Sequence, residues 1–476
     1  MEGSCANCMT RRRFLQAAGG AAACWALLPI AGPVLAARPV SRTPLFAKRK
    51  ARVMLVFSHI PSGHPTWPTK DYDYDAVARE LTRKLVSACP GIEFTTKHAS
   101  SAEQAKAIVN EAGNIDGYLV YNIGIWTGAP NEIIHAGKPV VMVDDLFAGS
   151  GETLTTNATI RTEKLPVVTV SSSAFGDVVS AARLFEVIAA MKDSTILDIV
   201  DYDIAKIADQ VKAVYGASLI KMDSKELAAY YDAANAQEAA EWADMWIGDA
   251  KAMREPTREE VVRSGKMYLA LARAASERKA DAVTMDCLGM FYSGRITAYP
   301  CLSHFQINND GGTGVCEGDV NSTCTQLMMR YMTGRPGYVS DPVIDTARGE
   351  IIYAHCVSHN RPFGPRGRSN RYIIRSHTED GKGAAVQSLL PVGEPVTTLE
   401  FDIWSKRMVV HTGKTTRNVD DPKACRTKLA ARTNAQAILD NWDMGWHRVT
   451  VFGDWRKQVK QLARLYGFAI CEEDKA

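Results

Sequence analysis

The 476 residues are 46% hydrophobic and 23% charged, a balance that excludes intrinsic disorder and is enough for two or three domains with cores of their own. The formal net charge is +3, and it falls to about +1 without Glu2, Arg11, Arg12 and Arg13 of the N-terminal segment. No general attraction to nucleic acid or to an anionic membrane is implied, so partners must be sought in specific sites.

The chain opens with Thr10, Arg11, Arg12, Arg13, Phe14 and Leu15, which resemble the twin-arginine export pattern. An uncharged Ala/Gly/Leu segment follows to residue 37, and Val34-Leu35-Ala36 ends on a small residue suited to signal peptidase. The expectation is a signal peptide over residues 1–37 and a protein folded before export to the periplasm or the extracellular space. An uncleaved membrane anchor is the bland alternative, disfavoured by Pro29, Pro33 and the small residues 19–23; lipidation at Cys24 is disfavoured by Ala21, where such sites prefer Leu. Beyond this segment no apolar run reaches spanning length, so no membrane association is expected after cleavage. Cys5, Cys8 and Cys24 belong to the segment, and the other eight of the eleven cysteines are expected as mostly buried free thiols, because such cargo folds in a reducing cytosol.

From residue 51 apolar runs alternate with helical periodicity. Residues 53–57, 117–121 and 139–143 read as buried strands, and residues 74–89, 102–112 and 131–135 as helices. Residues 38–164 therefore predict one parallel-sheet α/β domain. The pattern restarts with a strand at 165–171, helix 177–192, strand 196–200, helix 203–215 and strand 218–222. A long helical stretch over 225–279, interrupted near 254–257, leads into a strand at 282–287, giving a second α/β domain over 165–346. After residue 346 the character changes to strands at 350–356, 371–377, 399–404 and 408–411 with Gly/Pro turns, and only residues 455–466 are helical again. Residues 347–476 are thus expected as a β-rich C-terminal domain with a terminal helix.

Four residues of the last 200 positions have the chemistry of divalent-metal ligands: Glu317 in Gly314-Val315-Cys316-Glu317-Gly318-Asp319, Asp341 in Ser340-Asp341-Pro342, His355 in Ala354-His355-Cys356, and His447 in Trp446-His447-Arg448. Two carboxylates with two imidazoles suit Mn²⁺ or a similar ion and leave positions open for sugar oxygens. Composition alone does not single them out, since two acids and two histidines scattered through a chain of this size are ordinarily unrelated surface and core residues.

The wording around them carries more. Glu317-Gly318-Asp319 followed by a helical stretch over 320–333, Asp341 24 positions after Glu317, His355 after a strand, and Trp446-His447-Arg448-Val449-Thr450-Val451-Phe452-Gly453-Asp454 resemble the L-fucose and L-arabinose isomerases over roughly residues 281–471. The Glu-Gly-Asp wording and a histidine like His355 are nearer the arabinose branch, the 24-position spacing nearer the fucose branch. The resemblance implies a fucose isomerase-like fold, a Mn²⁺ site made by Glu317, Asp341, His355 and His447, a free sugar as substrate, and a homo-oligomer. Aldose–ketose isomerisation moves a proton between C1 and C2 through an enediol, for which Glu317 and Asp341 would serve as base and acid in turn. A rival reading is an exported carbohydrate-binding protein that keeps the fold without isomerising anything, suggested by an export signal on a fold that usually works in the cytoplasm.

Other residues are candidates for sugar contacts. Asp286 ends a predicted strand, where open α/β sheets place ligand contacts, with helix capping as its bland alternative; Gln306 and Asn308 follow the same argument. His59, His64 and Trp67 follow the first strand, and an aromatic ring beside histidines suits sugar stacking or plain packing. Arg361, Arg366, Arg368, Arg371 and Arg375 read as an anion clamp or a solvated loop. Cys287, Cys301, Cys316, Cys324 and Cys356 crowd one region but show no Cys-x-x-Cys spacing among them and hence no zinc ribbon.

Overall fold

The computed structural model describes residues 48–475 apart from Ser62, His64 and Pro65; residues 1–37, expected as an export signal, and His64 lie outside the described residues. The first sheet holds β1 (Ala51–Ser58), β2 (Ile92–Ala99), β3 (Gly117–Asn122), β4 (Val140–Asp144) and β5 (Val167–Ser171), in the order β2-β1-β3-β4-β5 and parallel throughout. Helices α1 (Tyr74–Ala88), α2 (Ala102–Glu111), α3 (Ala129–Ile134) and α4 (Ser150–Glu163) make the crossovers. The start of α1 shows the local logic. Asp73 accepts from the Ala76 backbone N–H at 2.8 Å, satisfying an end group of the helix, while Ala78, Leu81 and Leu85 recur on its buried face.

The strand expected to open the second α/β unit instead closes the first sheet, because β5 hydrogen-bonds to β4. Periodicity counts strands but does not say which sheet receives them. The expected helix over 177–192 is two helices, α5 (Phe175–Ala182) and α6 (Leu184–Lys192). The second sheet follows: β6 (Thr195–Ile199), α7 (Ala205–Tyr215), β7 (Ser218–Met222), α8 (Ser224–Asp232), α9 (Ala236–Asp249), the short β8 (Ala252–Met253), α10 (Arg258–Glu277), β9 (Ala282–Met285), α11 (Cys287–Tyr292), α12 (Cys301–Asn309), β10 (Gly314–Cys316) and α13 (Val320–Thr333). Its order is β10-β9-β6-β7, again all parallel. Ile196, Val200 and Ala282 enter one core with α6 and α13, whereas Leu197, Ile199 and Val283 enter another with α9 and α10. Burial of both faces is what makes these strands read as unbroken apolar runs.

The C-terminal region is β-rich as expected. It contains β11 (Tyr338–Asp345), β12 (Glu350–His355), β13 (Tyr372–Arg375), β14 (Ala385–Ser388), β15 (Pro395–Asp402), β16 (Arg407–Asn418), β17 (Thr427–Arg432), α14 (Ala435–Asp440), β18 (Arg448–Phe452), α15 (Arg456–Leu465) and β19 (Ala469–Glu472). The antiparallel order β15-β18-β11-β12-β17-β16 is closed by pairing of β15 with β16, so these six strands form a barrel, with β19 added parallel to β16. Closure removes the exposed edges an open sheet of this length would leave. β13 leaves the barrel to pair with β14 and, in parallel, with β8, tying this region to the second α/β layer.

All eight cysteines among the described residues are free, six of them buried. Cys287 and Cys316 approach at Sγ–Sγ 3.7 Å as thiols. Among the described residues no helix is long and apolar enough to cross a membrane.

Candidate metal centre

A parallel sheet presents its ligand positions at the carboxyl ends of its strands. Glu317 is the first residue after β10, and the chain turns there through two consecutive left-handed residues, Glu317 at φ 67° and Gly318 at φ 64°. Such a conformation costs a residue with a Cβ about 1–2 kcal/mol, and strain of this kind gathers where a side chain must be aimed for function. A Cβ on Gly318 would lie 3.2 Å from the Tyr202 hydroxyl, so even the tolerated left-handed position is closely packed. Asn308 holds the strand before the turn: its amide accepts from the Gly314 N–H and donates to the Gly314 carbonyl, both at 2.9 Å.

The other three residues come from the barrel. In the order β18-β11-β12, Ser340 faces Arg448 and Asp341 faces Ala354. Asp341, His447 just before β18, and His355 at the end of β12 therefore collect at one end of three adjacent strands. That end meets the carboxyl edge of the second sheet. His447 Nε2 lies 3.1 Å from Asp341 Oδ1 and 3.4 Å from Glu317 Oε2, and His355 Nε2 lies 3.6 Å from Glu317 Oε1. Glu317, His355 and His447 form a group whose ligand atoms are all within 4.8 Å of one another, and Asp341 joins it through His447.

These separations fit a shared cation. Bonds of about 2.1 Å put neighbouring donors about 3.0 Å apart in an octahedron and about 3.4 Å apart in a tetrahedron. His355 Nε2 is buried and has no hydrogen-bond partner, an orphaned donor atom aimed into the group. The donor set of carboxylate and imidazole suits Mn²⁺ and its neighbours.

Asp319, a member of the Glu-Gly-Asp motif with no role legible in the sequence, accepts from His447 Nδ1 at 2.8 Å. A carboxylate there fixes the ring orientation and leaves Nε2 to face Glu317 and Asp341. Burial works against a charge on His447, but its hydrogen bonds to Asp319, Asp341 and Glu317 outweigh it and raise the imidazole to about 12. Burial likewise opposes ionisation of Glu317 and Asp341, yet the hydrogen bond from His447 and the electrostatic pull of the neighbouring imidazoles hold each carboxyl below its ordinary value. Cys425 Sγ donates to the other oxygen of Asp341 at 3.4 Å.

The group opens on a cleft of about 650 Å³ whose lining includes Glu317, Asp319, Glu400, Arg407, Trp446 and His447. Trp446 is 61% exposed and its ring lies at 18° to that of His447. An exposed aromatic face beside polar groups can take the apolar face of a sugar. The sequence placed this role on Trp67, although Trp446 adjoins a proposed ligand.

The remaining candidates are not brought to the cluster by any hydrogen bond, ion pair or ring contact among the described residues. Asp286 caps α11 through the Gly289 N–H at 3.1 Å, the bland alternative noted for it. Gln306 accepts from Trp246 Nε1 at 3.0 Å and donates to Asp310 at 2.9 Å, so its amide is committed to the protein, as is that of Asn308. His59 bonds to the Ile60 carbonyl and to His98, and Trp67 donates to the Ala148 carbonyl; both belong to the layer of the first sheet. Of the basic stretch, Arg375 is paired with Glu255 at 2.6 Å.

With this geometry in place, the chain proves similar to the sulfoquinovose isomerases of Priestia aryabhattai and Priestia megaterium, 23% identical to each over 270 residues. It has a sugar isomerase as a distant relative. The similarity covers 54% of this chain and 58% of each relative, so somewhat over half of either length is compared. No model of a known protein family matches the chain.

Proposed function

We propose that the protein is a metal-dependent aldose–ketose isomerase acting on a free sugar by enediol proton transfer. The carrying observation is the convergence of Glu317 and Asp341 on His447 Nε2, at 3.4 and 3.1 Å, with His355 completing the set. The distant relationship to a sugar isomerase supports the same class of reaction. Mn²⁺ or a similar cation held by Glu317, Asp341, His355 and His447 would supply positive charge to two neighbouring sugar oxygens.

The rest of the chemistry belongs to the chain. Both carboxyls are held ionised, so either can take the proton from C2, while the other assists the shift of the hydroxyl proton from O2 to O1. Returning the first proton to C1 gives the ketose with no net change of atoms. Asp319 keeps His447 from swinging into the sugar, and Trp446 offers a wall for the ring or chain. Export by the twin-arginine route and assembly into a homo-oligomer are parts of the same proposal, resting on the N-terminal wording and on the isomerase resemblance.

Loss of the C2 hydrogen signal in D₂O, followed by NMR over a panel of aldoses that includes sulfoquinovose, tests the reaction. Exchange is expected with the Mn²⁺-loaded protein and is expected to disappear in Glu317→Gln. No exchange with any sugar by metal-loaded protein would refute the isomerase reading and favour a carbohydrate-binding protein.

A further inference from the structure

Behind His447 and Asp319 runs a line of polar groups, Ser322, Glu400 and Thr325, that the proposed reaction does not use. His447 Nδ1 and Ser322 Oγ both bond to Asp319 Oδ2 at 2.8 Å, and the Ser322 N–H bonds to Asp319 Oδ1 at 3.0 Å. Ser322 Oγ is also 3.2 Å from Glu400 Oε2, on barrel strand β15. The second oxygen of Glu400 lies 3.3 Å from Thr325 Oγ1, which itself accepts from the Phe401 N–H at 3.0 Å. Ser322 and Thr325 are fully buried and Glu400 is 5% exposed.

Counting protons decides the direction of the line. A serine hydroxyl has one proton to give. Between two carboxylates it would satisfy one and turn a lone pair toward the other, an uncompensated repulsion in a buried site. Asp319 is the nearer partner and already receives donors on both oxygens, which suits an anion. The contact with Glu400 is then a hydrogen bond only when Glu400 carries the proton and donates it to Ser322 Oγ.

We propose that Glu400 is a neutral carboxylic acid that, through Ser322, locks the Asp319 carboxylate and so positions His447 at the metal centre. Three donations run in order, from the Glu400 hydroxyl to Ser322, from the Ser322 hydroxyl to Asp319, and from His447 Nδ1 to the same Asp319 oxygen. The environment favours the proton on Glu400. Burial drives its carboxyl well above the ordinary value and the nearby charge of Asp319 adds to this, against Arg448 and His447. Arg448 is itself committed to Glu473 at 2.7 Å. The line fastens α13, which follows the second sheet, to β15 of the barrel, the two bodies that must stay in register for Glu317 to meet Asp341, His355 and His447. Glu400 is a positioning residue here, acting on the cluster through two others.

The assignment to a metal centre rests on the proposed function, whereas the hydrogen-bond line does not. Infrared difference spectra at neutral pH between the full chain and its Glu400→Gln form test the proton directly. A protonated-carboxyl band lost in the variant is expected; no such band would overturn the proposal. Glutamine can replace the donor, so Glu400→Gln should keep the Mn²⁺ Kd within about threefold, while Ser322→Ala should weaken Mn²⁺ binding about tenfold, the low end for loss of an outer partner of a ligand. The ¹⁵N signals of the His447 ring report the same positioning without metal. They should hold in Glu400→Gln and shift in Ser322→Ala, and unchanged ring signals in Ser322→Ala would overturn the proposal. If the wild-type chain binds no divalent cation the isomerase reading fails, while the infrared band and the ring signals still decide the role of Glu400.

Discussion

Adding Mn²⁺ to the metal-free protein should release about one proton from His447. Its imidazole is raised to about 12, so at pH 7 it is protonated essentially completely, and a cation at Nε2 must displace that proton. Glu317 and Asp341 are held below their ordinary values, so they are already ionised at pH 7 and add nothing to the count. The sign follows directly. The raised group binds its proton throughout the range from pH 6 to pH 8, so higher pH favours the metal, and Mn²⁺ affinity should tighten about tenfold per pH unit for one displaced proton. Calorimetric titration with Mn²⁺ in buffers of different ionisation enthalpy measures the proton count, and repeating it at several pH values measures the slope. A pH-independent affinity with no proton released would refute the placement of His447 as a ligand.

Loss of the Asp319 carboxylate should weaken Mn²⁺ binding about 10–100-fold, read from the Kd of Asp319→Asn, because the charge-assisted bond at 2.8 Å orients the imidazole. Glu317→Gly should abolish Mn²⁺ binding yet leave the metal-free protein at least as stable by thermal melting, since a glycine relieves about 1 kcal/mol of left-handed strain at φ 67°. Gly314→Ala should cost about 1–3 kcal/mol in denaturant titration, because the new Cβ would lie 2.8 Å from Nδ1 of buried His304. Glu473→Ala should destabilise the fold by about 3–5 kcal/mol, since it leaves fully buried Arg448 without its carboxylate. Burial opposes the charge on Glu473 but His411 and Arg448 hold its carboxyl below the ordinary value. Its contribution is therefore present above the ordinary carboxyl value and lost as pH falls through the depressed one, which denaturation at acid pH checks.

Much of the architecture could be read along the chain because it rests on local signals. Residues 53–57 and 117–121 are unbroken apolar runs since both sheet faces are covered, and α1 carries its own cap at Asp73 and its own stripe at Ala78, Leu81 and Leu85. Strand membership did not follow from such signals: 165–171 joined the first sheet because its hydrogen bonds go to β4, a choice made across space. Closure of the barrel was equally hidden, since pairing of β15 with β16 depends on twist and register rather than on the composition of either strand.

The centre divides along the same line. The wording Glu317-Gly318-Asp319 and Trp446-His447 pointed to the ligand types by resemblance alone. The sequence by itself determined which side chains carry carboxylate and imidazole, and that the turn after residue 316 would include a glycine. Only the tertiary structure decided that residues 317, 341, 355 and 447 meet, because their juxtaposition requires the carboxyl edge of one sheet to abut one end of a barrel. It also decided that Asn308 and Gln306 serve the frame, since their amides found protein partners. Asp319, Ser322 and Glu400 became legible only there, because a hydrogen bond spanning up to 128 residues of sequence leaves no periodic trace.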